Sequence, residues 1–209
     1  MLSYTVPLLP GRVYHLFNHA VGEELLFREN TNYVYFLNRM KKYFPPVVKI
    51  YAYTLMPNHF HFVVKIQERP VLLQCYNKEK EKPSDEELAA FVMQQFSNMF
   101  NGYAKAYNKR YERRGALFID YLKRREVLNM NYFKNLICYV HCNAVHHQFC
   151  NSPYEWIFSS YAAYFSDQET ILDRATVLNS FNGLEDFLNS HKVFIKRKKN
   201  LNFDNIHTL

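Results

Sequence analysis

Two apolar runs separated by a two-residue turn constrain the fold of this chain more than any other feature. The first run, Val47–Met56, reads VVKIYAYTLM, and the second, His59–Ile66, reads HFHFVVKI; only Pro57 and Asn58 lie between them. Val, Ile, Tyr and Phe favour strands, whereas Pro and Asn favour turns. The pattern therefore predicts a β-hairpin.

The segments before and after the hairpin predict another strand and two helices. Arg12–Asn18 is predicted as a strand, and Asn32–Tyr43 as a helix. Ser84 and Glu87 form a capping box that begins a second helix. Apolar residues then recur at spacings of three or four, which extends this helix to about Arg110.

Two further elements complete the pattern. Gly115 opens the stretch ALFIDYLKRREV, a candidate fourth strand, and a third helix is predicted over Asn131–His147. The order β-α-β-β-α-β followed by a helix is typical of a ferredoxin-like split β-α-β sheet. We therefore predict an α+β fold, an antiparallel sheet with its helices on one face and the third helix after it, which leaves the other face for function.

The length of 209 residues fits one domain with a terminal extension. We predict a domain over residues 1–165 and a helical, basic extension over 166–209. Within that extension, short helical pieces are expected around Asp173–Leu188, before the basic stretch KRKK at Lys196–Lys199. Asn77–Glu87, which reads NKEKEKPSDEE, is predicted to be a solvated loop.

The net charge of +7 and the pI of about 9.1 favour a polyanionic partner, although many soluble proteins are mildly basic. No apolar run approaches the roughly 18 residues that span a bilayer. The N-terminus lacks the pattern of a secretory signal peptide. We therefore predict a cytoplasmic protein with no membrane partner.

The four cysteines predict reduced thiols, because they are too sparse for a disulfide framework. Cys138, Cys142, His146 and Cys150 are spaced along one predicted helix, over which they would spread across about 18 Å. Ligands so spread cannot surround one ion, so a zinc site here would require that helix to break.

His59 and His61 are one residue apart on the second hairpin strand, so they point to one sheet face while Phe60 and Phe62 point to the other. The aromatic face is predicted to be the core. Two neutral imidazoles on the opposite face can bind one divalent ion. Because the motif is short, two surface histidines without a ligand and an unrelated metal hydrolase remain alternatives.

A metal site needs a further ligand from an element that crosses the histidine face. On the predicted third helix, Tyr139 and Asn143 lie one turn apart on one flank of the core stripe, where they can face such a site. A tyrosine there is by default a packing residue with its hydroxyl in water. The residues of the core stripe are Phe133, Ile137, Val140 and Ala144.

Five stretches match a known family in order and spacing: YHLFNHAVGEELLF, YAYTLMPNHFHFVV, RRGALFIDYLKRREV, YFKNLICYVHCNAV and YEWIFSSYAAY. Over Tyr14–Tyr164 the chain resembles the REP-associated tyrosine transposases, a branch of the single-tyrosine HUH transposases. The resemblance implies a single-stranded DNA nuclease and strand-transfer enzyme that uses Mg²⁺ or Mn²⁺ and no nucleotide cofactor. Its expected ligand is a DNA hairpin of the repetitive extragenic palindrome type, and relatives work as homodimers or as single chains.

The resemblance also assigns roles to residues of the site. It implies that His59 and His61 bind the metal, that Tyr139 is the nucleophile and forms a 5′-phosphotyrosine, and that Asn143 completes the metal site. No base for Tyr139 is identified; His141 lies about 160° round the helix, which makes it a poor candidate. A hairpin-binding protein that does not cut is the alternative, although the residues needed for cutting are all present.

Two positions depart from the family pattern. Asn143–His146 reads NAVH where Asn-Pro-Val and a basic residue are usual, so we expect the helix to run on past Asn143. His19 follows Asn18 where arginine is common, which would alter a DNA contact but not the chemistry.

A basic segment between the second helix and the fourth strand predicts the DNA contacts, and its tyrosines are candidates for stacking on unpaired bases. The alternative is a solvated helix end followed by a protected edge strand. The predicted stacking residues are Tyr103, Tyr107, Tyr111 and Tyr121. The predicted DNA-binding residues are Lys105, Lys109, Arg110, Arg113, Arg114, Lys123, Arg124 and Arg125.

Overall fold

A four-stranded antiparallel sheet organises the fold. The computed structural model describes residues 5–76, 82–119 and 121–199. The strands are β1 (Val13–His19), β2 (Val48–Met56), β3 (His59–Ile66) and β4 (Lys123–Glu126). They lie side by side in the order β2-β3-β1-β4, and each neighbouring pair is antiparallel. This is the strand order of a ferredoxin-like sheet, so the predicted fold class is confirmed.

The helices are α1 (Asn30–Tyr43), α2 (Arg69–Cys75), α3 (Asp85–Arg110), α4 (Met130–His141), α5 (Asn143–His146), α6 (Arg174–Ser180) and α7 (Leu184–Lys199). The predicted capping box at the start of α3 is confirmed, since the Ser84 hydroxyl accepts from the Glu87 N–H and the Glu87 carboxylate accepts from the Ser84 N–H. Within the described ranges, no helix is long and apolar enough to cross a membrane.

The main core lies between the sheet and helices α1 and α3. Phe60 and Phe62 project from β3 toward these helices and are fully buried. Both rings contact Phe36 of α1, and Phe60 also stacks on Phe100 of α3. Burial of each phenylalanine contributes about 1.5–3 kcal/mol to stability. The prediction that the phenylalanine face of β3 is the core side is therefore confirmed.

Helix α4 covers the opposite face of the sheet. Phe133 packs edge-on against Tyr51 of β2, and the predicted core stripe of this helix is buried. However, α4 ends at His141 and α5 begins at Asn143, because Cys142 leaves the helical conformation (φ −87°, ψ 3°). The single helix predicted over Asn131–His147 is therefore wrong in its continuity. Tertiary contacts of the Asn143 side chain, described below, override the local preference for a straight helix.

The fourth strand is shorter than the sequence predicted. Lys123–Glu126 form the strand that pairs with β1. Earlier in the stretch, Phe118 forms an isolated bridge with Ala20 and the Ile119 N–H donates to the His19 carbonyl, while Leu117 is buried and Phe118 packs on Phe100 of α3. The stretch after Gly115 thus forms a loop whose apolar residues fill the helix side of the sheet. Asp120 lies outside the described residues.

The C-terminal segment folds back onto the sheet and α4. The Asp173 N–H donates to the Ile50 carbonyl of β2 at 2.9 Å, and Phe187 and His191 of α7 are buried. Residues after 165 thus contribute to the same core, while the domain boundary at that position stays a prediction. The KRKK stretch ends α7, and residues 77–81 of the predicted loop lie outside the described residues.

Candidate active site

Strand β3 presents His59 and His61 to the face that α4 and α5 cover. Their ring centroids are 5.2 Å apart, with the ring planes at 79°. The two residues are only 4% and 3% exposed. Burial, together with the neighbouring histidines, holds the pKa of His61 well below its usual value. His61 is therefore neutral at pH 7, the form of imidazole that binds metals.

The junction of α4 and α5 brings Tyr139 and Asn143 to these histidines. Asn143 Oδ1 lies 3.1 Å from His59 Nε2. The Tyr139 ring packs edge-on against His61, with centroids 5.3 Å apart, and its hydroxyl is hydrogen-bonded by the Asn143 side chain. The structure thus gathers at one place the four residues that the sequence singled out for catalysis and metal binding.

The environment of Tyr139 acts on its acidity in two directions. Burial raises the pKa of the phenol above its usual value, and the hydrogen bond from Asn143 lowers it in part. An amide N–H donated to the phenolic oxygen favours the phenolate. At neutral pH the hydroxyl is protonated, so it needs help from a base or a cation to act as a nucleophile.

Three histidines that the sequence analysis did not assign surround the pair. His15 Nε2 lies 2.9 Å from His61 Nδ1, His19 stacks on His59 at 4.6 Å, and the His147 ring is 5.1 Å from His59. His15 and His19 are alternate residues on β1, so they share a face. That signal was present in the sequence, but the pairing of β1 with β3 that sets His19 opposite His59 is a tertiary feature.

The donor atoms of the site fit a small divalent ion. His59 Nε2 and Asn143 Oδ1 both offer lone pairs and are 3.1 Å apart. Adjacent ligands of an octahedral ion with bonds of about 2.1 Å lie about 3 Å apart. In the part of the chain that the structure describes, no group of three His, Cys, Asp or Glu residues is placed to hold a metal. The residues that would hold an ion here are His59, His61 and Asn143, and two imidazoles with one amide oxygen would leave coordination positions for a substrate or water.

The break at Cys142 meets the condition that a zinc site required. Among the residues that the structure describes, however, Cys138, Cys142 and Cys150 are in no disulfide, and no group of His and Cys is placed to hold a metal. His146 instead lies near Tyr139, with ring centroids 6.4 Å apart.

A comparison with solved structures finds a protein described as a REP-associated tyrosine transposase bound to a REP hairpin. The match has a TM-score of 0.58 at 14% sequence identity and covers 82% of this chain and 90% of the other. This chain therefore shares the fold of that protein. No protein-family model matches the sequence, and no curated protein matches it.

In this fold, His141 points away from the site. Its Nδ1 lies 3.0 Å from His191 Nε2 of α7, and its Nε2 lies 2.8 Å from the Ser160 hydroxyl oxygen. His141 therefore has no access to Tyr139, in agreement with its angular position on the helix.

Two of the predicted DNA-binding residues lie on the sheet face that carries His59 and His61. Arg125 is opposite His15, and Lys123 is opposite Phe17, in the antiparallel pairing of β1 with β4. Directly opposed residues share a sheet face. These two side chains therefore extend the site at the sheet edge, and Arg124 between them points to the helix side.

Three other residues predicted to bind DNA form ion pairs or hydrogen bonds within the protein. Arg113 forms a half-buried ion pair with Glu24 at 2.7 Å, Arg110 pairs with Glu29 at 2.6 Å, and Arg124 donates to backbone carbonyls near the N-terminus. Lys105, Lys109 and Arg114 are exposed, as is Arg110 despite its ion pair.

Some of the predicted stacking tyrosines are likewise engaged within the protein, and others are exposed. Tyr103 and Tyr107 are buried, and their hydroxyls donate to the Leu26 and Leu25 carbonyls. The prediction that these two tyrosines stack on bases is therefore wrong. Their apolar spacing on α3 reflects the core. Tyr121 is 59% exposed and keeps a ring face open to a partner.

Proposed function

We propose that this chain is a metal-dependent single-stranded DNA endonuclease and strand transferase that cuts at or near DNA hairpins. The observation that supports this best is the convergence of Tyr139, Asn143, His59 and His61, drawn from a strand and a helix junction, on one buried point. A nucleophile beside a set of metal donors is an arrangement suited to metal-assisted phosphodiester cleavage.

His59, His61 and Asn143 would hold Mg²⁺ or Mn²⁺. When bound, the ion polarises the scissile phosphate and offsets the charge that develops in the transition state. The protein keeps His61 neutral by burial, and the Asn143 N–H orients the phenolic oxygen of Tyr139. One amide thus serves both the metal site and the nucleophile.

Tyr139 acts by in-line displacement. Its phenolic oxygen forms a bond to phosphorus, the bond from phosphorus to the 3′ oxygen breaks, and the phenolic proton is released while the 3′ oxygen gains one. The products are a 5′-phosphotyrosine and a free 3′-hydroxyl. Attack by a 3′-hydroxyl on the phosphotyrosine reverses the step and joins strands, so no nucleotide cofactor is needed.

The proposed DNA ligand is a single strand folded into a hairpin. The similar protein is described as bound to a REP hairpin, and the present chain carries a net charge of +7. We assign the backbone contacts first to Lys123 and Arg125 on the site face, and then to the exposed Lys105, Lys109 and Arg114. Such contacts hold the strand in register without reading its bases.

A covalent-adduct assay tests the function. The purified protein is incubated with Mn²⁺ and a labelled single-stranded hairpin from DNA flanking its own gene, and adducts are resolved on a denaturing gel. Wild type and Tyr132→Phe, a matched change two turns earlier on α4, should form the adduct, and Tyr139→Phe should not. An adduct in Tyr139→Phe would assign the nucleophile elsewhere. Hairpin binding without an adduct under any divalent ion would favour a DNA-binding protein that does not cut.

A further inference from the structure

A hydrogen bond between two histidines on neighbouring strands lies directly behind the site. His15 Nε2 is 2.9 Å from His61 Nδ1, and the two rings are within 24° of parallel. His15 is only 8% exposed, and it lies on β1 opposite Val63 of β3. The backbone pairing of β1 with β3 therefore fixes this contact.

The contact determines which nitrogen of His61 can serve a ligand. Because Nδ1 faces His15, Nε2 is the nitrogen left for the metal. An imidazole that binds through Nε2 carries its proton on Nδ1 and must donate that proton to an acceptor. His15 Nε2 is placed to be that acceptor.

The partner histidine is held in the same way by a different residue. His59 Nδ1 donates to Asn58 Oδ1 at 2.8 Å, and its Nε2 faces Asn143. Acceptors behind a ligating histidine fix its tautomer and ring orientation and raise its basicity. Each metal-binding imidazole thus has its own outer acceptor, Asn58 for His59 and His15 for His61.

We propose that His15 is a positioning residue that selects the Nδ1–H tautomer of His61 and thereby sets the affinity of the site for Mg²⁺ or Mn²⁺. The inference rests on the metal site of the proposed function. His15 also lies edge-on to the Tyr139 ring at 6.2 Å, so the same side chain supports the nucleophile.

Three variants separate the hydrogen bond from packing. His15→Leu removes the acceptor, and His15→Gln restores one near the position of Nε2. Phe17→Leu trims a second ring that packs on His61 at 5.9 Å and leaves the hydrogen bond in place. Mn²⁺ affinity is measured on the full chain without DNA, from the electron paramagnetic resonance signal of free Mn²⁺. We expect His15→Leu to lose roughly 10–100-fold in affinity, as for other outer partners of metal ligands, and the other two variants to lose much less.

A second measurement reads the tautomer directly. Nitrogen-15 shifts of the histidine rings in metal-free wild type should show His61 protonated on Nδ1, and His15→Leu should shift it toward the Nε2–H form. A His61 ring protonated on Nε2 in wild type, or equal Mn²⁺ affinity in wild type and His15→Leu, would overturn the proposal. If wild type binds no Mn²⁺ at all, the metal site of the proposed function fails, and the tautomer measurement alone then decides whether His15 orients His61.

Discussion

Asn143 Oδ1 lies 3.1 Å from His59 Nε2, although the two residues are 84 positions apart in the chain. His59 begins β3 and Asn143 begins α5, so the contact joins a sheet edge to a helix junction. The break of the helix at Cys142 occurs immediately before Asn143, whose side chain is anchored to both His59 and Tyr139. The site is therefore assembled by the docking of α4 and α5 on the sheet.

Substitution of Asn143 should separate its two roles. Asn143→Asp keeps an oxygen donor for the metal but loses the N–H that stabilises the Tyr139 phenolate. Because a hydrogen bond to a charged group contributes about 1.5–3 kcal/mol, we expect Mn²⁺ affinity to be retained and the rate of adduct formation at saturating Mn²⁺ to fall roughly tenfold or more. Asn143→Ala should lose both. An Asp variant with the wild-type rate would show that the amide N–H does not serve the nucleophile.

Adduct formation should accelerate as pH rises from 6 to 9. The pKa of Tyr139 is raised above its usual value by burial, so in this range the phenol is almost wholly protonated. The reactive phenolate fraction then grows about tenfold for each pH unit. Single-turnover rates at saturating Mn²⁺ across this range test the dependence. A rate that falls with rising pH would mean that loss of a proton from the phenol does not limit the step.

Much of the fold and half of the site could be predicted from the sequence because they depend on local periodicity. Alternation along β3 placed His59 and His61 opposite Phe60, and helical spacing placed Tyr139 and Asn143 on one flank. Each of these relations spans at most four residues. The order of elements then sufficed for the strand order of the sheet.

The rest of the site depends on contacts between distant segments, which periodicity does not encode. His15 reaches His61 only through the register of β1 on β3. Arg113 pairs with Glu24, which lies 89 positions away in the chain. A count of charges in the local sequence therefore treats Arg113 as a cation available to DNA. The break at Cys142 likewise follows from the docking of its neighbour Asn143, not from a proline or glycine in the helix.

The protein should lose stability as pH falls from about 6.5 toward 4. In this range the histidines of the unfolded chain bind protons, whereas the buried His191 and His141 of the folded chain stay neutral. His191 donates from Nδ1 to the Phe187 carbonyl and accepts at Nε2 from His141, and burial lowers its pKa to about 4. This contribution is present above the unfolded pKa and is lost below it, and for His191 it amounts to about 3 kcal/mol. Urea unfolding at pH 7.5 and 4.5 measures it.

A matched pair of variants isolates that histidine contribution. His191→Gln keeps a polar group at the junction of α7 with α4 but cannot titrate, so its stability should depend less on pH than that of wild type. Asn189→Gln, at an exposed position of the same helix that does not titrate, should leave the pH dependence unchanged. Equal slopes for wild type and His191→Gln would show that α7 is not held by a neutral histidine.

Three consecutive residues of β4 should separate DNA binding from folding. Lys123 and Arg125 face the site side of the sheet, so Lys123→Gln and Arg125→Gln should each weaken hairpin binding and reduce the salt dependence by about one phosphate contact, with little change in stability. Arg124, which faces α3 and donates to the Thr5 carbonyl at 3.0 Å, should behave oppositely: Arg124→Gln should lower the melting temperature and leave the affinity of the folded protein nearly unchanged. Fluorescence anisotropy with a labelled hairpin from 50 to 200 mM salt, beside thermal melts, measures both. Equal losses of affinity in all three variants would mean that β4 contributes to DNA binding only through its net positive charge. The face of the sheet on which a residue lies would then not determine whether it contacts DNA.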